Sequence, residues 1–157
     1  MKKKIYLLAL MMVAVSTLIL DGCKKKDDDD PTRMELFTNK NWKTTAWTSD
    51  PAININGVLV TNVYNQLAAC VKDDLDRFAT NGIYTFDEGA SKCNVNDPQT
   101  VSGTWAFNSN QTIVTVTVGG NSISYNIESI GENTMKANRV YNDGTNNYTY
   151  SLTYTKQ

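Results

Sequence analysis

Period-two alternation of apolar and polar side chains dominates the chain beyond residue 80. In NSISYNIES, Ile123, Tyr125 and Ile127 fall on one side while Ser122, Ser124 and Asn126 fall on the other, the pattern of a strand with one buried face. The same alternation sets Tyr148, Tyr150, Leu152 and Tyr154 against Thr149, Ser151, Thr153 and Thr155, and it recurs in TIVTVTV, GIYTFDE and GTWAFN. Asn108-Ser109-Asn110, Gly119-Gly120-Asn121 and Asp143-Gly144 supply turns between these runs. Strands are predicted over 41–49, 82–88, 101–108, 111–118, 121–129, 133–141 and 146–156, with ININGVLVT as an eighth candidate. Seven or eight sequential strands joined by short turns predict an all-β fold, an up-and-down antiparallel β-barrel.

One segment departs from period two. In TNVYNQLAACVKDDLDRFATNG, Val63, Leu67, Val71, Leu75 and Phe78 recur at spacings of four, four, four and three, an apolar stripe of helical period. Asn62 is a favoured N-cap residue and Asn81-Gly82 a left-handed stop. The spacing therefore predicts one helix over 63–80 in the first strand connection, with Asp73, Asp74 and Asp76 on its solvated face. From Cys70 to Gly82 such a helix rises about 18 Å, and strand 82–88 returns about 20 Å. Cys70 is thereby brought near the loop that holds Cys93. Two cysteines in an exported domain read as a disulfide, Cys70 to Cys93.

Export is written at the start of the chain. Lys2, Lys3 and Lys4 precede an apolar run over 5–20 that is too short for a membrane-spanning helix and carries Ser16 and Thr17. It ends in Leu20-Asp21-Gly22-Cys23, which resembles the bacterial lipobox, where the cysteine is acylated, with palmitate among the expected chains, and becomes a membrane anchor. The lysine-led acidic run at 24–30 is a solvated tether. It also resembles the export signal of Gram-negative lipoproteins displayed on the outer leaflet of the outer membrane. The expected organisation is a signal peptide at 1–22, a lipidated cysteine and charged tether at 23–35, and one barrel domain at 36–157. A lipoprotein facing the periplasm is the alternative.

Composition narrows the chemistry. The chain of 157 residues contains no histidine, which removes histidine-based triads, histidine-zinc sites and the usual neutral-pH base. No enzyme activity, cofactor or metal is expected. Residues 34–157 carry 8 Lys and Arg against 11 Asp and Glu, a net charge of 8 − 11 = −3, so nothing favours nucleic acid as a partner. A monomer is expected.

NKNWKTTAW, then CVKDDLDRFATNGIYTFDEGASKC, then SGTWAFNSN together resemble the lipocalin-like domains of secreted bacterial lipoproteins, which are calycin-type β-barrels. The resemblance spans about residues 36–156, with Trp42 at the tryptophan of the family's first-strand Gly-x-Trp and Lys40 at its glycine. It implies a barrel that is either filled by side chains or holds one small ligand. Parity places Tyr84, Phe86, Trp105, Phe107, Ile123, Tyr125, Ile127, Met135 and the row ending at Tyr154 inside. Core packing accounts for each of these alone. Together, Tyr84, Trp105, Tyr125 and Tyr148 are candidates to line a ligand pocket. Arg139 continues the inward row of Met135 and Ala137, so it either grips a ligand's acidic head or sits in a salt bridge, at the rim, or stacked over a tryptophan at the closed end. The expected function is a surface-exposed outer-membrane lipoprotein whose barrel binds a small apolar or amphipathic molecule. The alternative is a non-enzymatic interaction or inhibitor module that uses the outer barrel surface. A cavity of roughly 300 Å³ or more favours the first, and a filled barrel with an exposed apolar patch favours the second.

Overall fold

The computed structural model describes residues 30–157. The expected signal peptide, Cys23 and the charged run up to residue 29 lie outside the described residues. Pro31–Gln157 forms one compact unit, which opens upstream of the expected start at 36 with a short helix, α1 (Arg33–Phe37). Thr32 and Glu35 cap it reciprocally, each side chain accepting from the other's backbone amide.

Nine strands follow: β1 (Asn41–Ile55), β2 (Val58–Asn62), β3 (Leu75–Phe78), β4 (Ile83–Asp87), β5 (Thr100–Phe107), β6 (Ile113–Val118), β7 (Asn121–Ile130), β8 (Thr134–Asn142) and β9 (Asn147–Lys156). All neighbouring pairs are antiparallel, and β1 pairs with β9 from Trp42 opposite Lys156 to Asp50 opposite Thr149. Eight strands, β1 and β3 to β9, thus close into an up-and-down barrel with no free edge in the ring. The far half of the long β1 runs on past the ring and pairs with β2 as a two-stranded ribbon, turning at Asn56-Gly57. The eighth candidate ININGVLVT is the turn of this ribbon, not a single strand; the first predicted strand, 41–49, stops six residues short of the end of β1, and the other six agree with the observed strands to within two residues.

The helix predicted over 63–80 does not form. The segment is a single 3-10 turn (Tyr64–Gln66), a four-residue helix α2 (Ala69–Lys72), and then β3. Asn62 does accept the Asn65 amide at 3.1 Å, so the N-terminal signal acts, but only for one turn. Closure explains the rest. β3 pairs with Asn41 to Lys43 of β1 on one side and with Tyr84 to Asp87 of β4 on the other. A helix there would leave two strand edges unpaired. Val71, on the supposed apolar stripe, is 37% exposed.

The barrel has a plugged end and an open end. Phe37 and Trp42 are fully buried, and the Trp42 indole N–H donates to the Phe37 carbonyl at 2.9 Å. Phe37 sits among Phe78, Trp105 and Phe107, with ring centroids 4.3, 5.0 and 4.7 Å away. β5 and β6 approach closely at Gly103. A Cβ on Gly103 would lie 2.2 Å from the Thr117 carbonyl oxygen, so only glycine permits this approach of the two backbones.

Candidate functional site

Between the aromatic plug and the opposite end lies a cavity of about 200 Å³. Its floor is Phe37 and Phe78, its walls include Val114, Val116, Ile127 and Ala137, and it reaches exposed Asn121 and Ile123 beside the β6–β7 turn. Small and β-branched residues on β6 and β8 leave this space where larger ones would fill it. The volume falls below the roughly 300 Å³ of ordinary ligand pockets. It exceeds the roughly 150 Å³ of an apolar cavity that accepts benzene.

Of the expected pocket residues, Tyr84 and Tyr125 line the cavity. Trp105 does not. It is buried in the plug beside Phe37, with its indole N–H donating to the Ala79 carbonyl at 2.9 Å. Tyr148 also stands apart, stacked on Tyr141 with its hydroxyl on Asp143 at 3.1 Å. Arg139 is on the inward row as parity predicted but does not line the cavity. Its guanidinium lies over the rings of Tyr125, Tyr141 and Tyr150 at 5.8, 5.7 and 5.2 Å. Its charge is taken up by cation–π contact with three tyrosines, not with a tryptophan at the closed end.

The charged group that does line the cavity is Asp76, which sequence reasoning placed on the solvated face of a helix. On β3 it takes the inward side with Phe78, while Arg77 is exposed. The Tyr84 hydroxyl donates to its carboxylate. Burial pushes the Asp76 carboxyl up to about 6, and the Tyr84 hydrogen bond only partly opposes this. Burial likewise raises the hydroxyls of Tyr84, Tyr125 and Tyr154, so all three stay protonated. The one usable signal was Asn81-Gly82 ahead of the alternating GIYTFDE, a hairpin turn that implies a strand before it, because LDRF itself reads apolar, polar, polar, apolar and does not alternate.

At the open end of β3, the expected Cys70–Cys93 disulfide is present, with Cα atoms 5.2 Å apart. It ties α2 to the β4–β5 connection. Nearby, Asp73 accepts from the Ser91 amide and hydroxyl, both at 2.8 Å. Asp74, crowded by burial and then by Glu88, Asp73, Asp76 and Asp87, is also raised to about 6. Among the described residues, no cluster of three or more carboxylates and thiols has metal-ligand geometry.

The cavity, its mixed apolar and tyrosine lining and the surrounding ring can hold one small molecule. No curated protein matches the chain. The family model described as a lipocalin-like domain matches residues 38–137, running from just before β1 into β8. With the closed eight-stranded ring and the plugged end, this match establishes that the chain belongs to the lipocalin-like domain family.

Proposed function

We propose that this protein is a binding protein and not an enzyme: an outer-membrane lipoprotein, anchored through Cys23 and facing the cell exterior, whose barrel holds one small, mostly apolar ligand. The observation that carries the binding part is the 200 Å³ cavity. At about 30 Å³ per water-sized group, it accommodates roughly seven such groups, which is the scale of one ring with a short substituent. Most of a long acyl chain would remain outside. The lipid anchor and the display rest on the lipobox and on the charged run at 24–30.

The test uses benzyl alcohol as a neutral single-ring probe. It should raise the unfolding temperature of the wild type and show saturable binding by calorimetry. Ala137→Leu, which adds bulk to a wall residue only 1% exposed, should abolish both. Absence of saturable binding in the wild type would remove the cavity reading. The surface-interaction reading would then lead, on the strength of Val58 and Leu59, which the β1–β2 ribbon exposes by 62% and 73%.

A further inference from the structure

The cavity contains an acid and lacks a cation to match it. Among the described residues, the Tyr84 hydroxyl is the only side chain that donates a hydrogen bond to Asp76. Arg139 is turned over its three tyrosine rings. Lys40, at the plugged end, lies over Trp42 and donates to the Glu132 carbonyl. The titratable groups facing Asp76 are Tyr84 on β4, Tyr125 on β7 and Tyr154 on β9, all neutral, with Asp74 just before the start of β3. Opposite it on β1 is Trp42 and on β4 Phe86, neither of which can carry charge.

A carboxylate in such surroundings is costly to ionise unless something positive joins it. The walls around it suit a cation. Phe37, Phe78, Tyr84 and Tyr125 present aromatic rings to the same space, and ring faces attract ammonium groups. A carboxylate ligand would meet repulsion from Asp76 instead.

We propose that the cavity selects a small ammonium compound, a single-ring or short apolar body bearing one protonated nitrogen, with Asp76 as its counter-ion. This rests on the reading of the barrel as a binding protein, and it reverses the ligand polarity that Arg139 suggested in the sequence.

The experiment compares benzylamine, benzyl alcohol and benzoate by calorimetry on the full chain in phosphatidylcholine nanodiscs, with empty nanodiscs as blank. At pH 7.4 benzylamine should bind at least tenfold tighter than benzyl alcohol, and benzoate should give no saturable heat. Asp76→Asn should erase the advantage of benzylamine over benzyl alcohol. Lowering the pH to 5 should weaken benzylamine about tenfold, as a carboxyl titrating near 6 loses its charge, with little change for benzyl alcohol. Equal binding of amine and alcohol, or an advantage that survives Asp76→Asn, would overturn the ammonium proposal and leave the cavity reading standing. Silence of all three probes would overturn both.

Discussion

Asp76 works against the stability of the empty barrel, and the sign of that effect can be followed through pH. Its carboxyl titrates near 6 in the folded protein, against an ordinary value of 3.8. The folded state therefore holds its proton more tightly than the unfolded chain does. Its contribution is fully favourable below about pH 4 and is lost as the pH rises through 6. At about 1.4 kcal/mol per unit, the loss is of the order of 3 kcal/mol by pH 8. Asp74 acts in the same direction but is only partly buried, so screening reduces its share. Glu35, Asp73 and Asp143, held low by hydrogen bonds, pull the opposite way. The difference between wild type and Asp76→Asn isolates the one group. Denaturant titrations from pH 4 to 8 should show the variant more stable above pH 6 by up to about 3 kcal/mol, and the gap should close towards pH 4. A gap that is constant with pH would mean that Asp76 is not the titrating group.

At the scale of elements, the connection between β2 and β4 holds most of what the sequence concealed. Reducing Cys70–Cys93, which closes a loop of 23 residues, should lower stability by about 3 kcal/mol on the chain-entropy account. The structure also says where the loss will be felt. Amides of α2 and of the β4–β5 connection should exchange faster with solvent after reduction, whereas those of β3, held by ladders to β1 and β4, should keep their protection. Fast exchange throughout 75–78 would mean that the disulfide, not barrel closure, holds β3 in place. Most of the strands were legible because they alternate over several residues and are bounded by turns that contain Gly or Asn. β3 is only four residues long and reads apolar, polar, polar, apolar, so no period two stood against the stripe of spacing three and four that runs across it. The outlying members of that stripe are buried for unrelated reasons: Val63 where the chain leaves β2, Phe78 as an inward strand residue. Reading β3 as helix turned Asp76 outward, so the acid at the heart of the site was missed. The inward row ending in Arg139 and Tyr148 was read correctly as a row, but parity alone says nothing about how far along the barrel axis a residue lies. α1 was missed because five residues carry no period, and only Thr32 and Glu35, three apart, mark its start.

For the whole molecule, the division of the barrel into a plugged half and a hollow half sets what the domain can do. The chain enters the folded unit at Pro31 and passes at once into α1, whose Phe37 fills the closed end. The cavity reaches the surface beside the β6–β7 turn, at the other end. The display reading is testable in a way that keeps sorting apart from folding. Alanine at positions 27–30 removes the acidic run but spares Pro31, Thr32 and the capping box at Glu35, so the purified variant should unfold at the same temperature as the wild type. In cells, Cys23→Ser should block uptake of labelled palmitate, since the lipobox cysteine supplies the acceptor thiol. Protease added to intact cells should digest the wild-type domain and spare the alanine variant, which would be retained on the inner side of the outer membrane. Equal digestion of both forms, with palmitate uptake intact, would show that 24–30 is a spacer and not an export signal. Resistance of both forms would place the domain in the periplasm, where only compounds that have already crossed the outer membrane could reach the cavity.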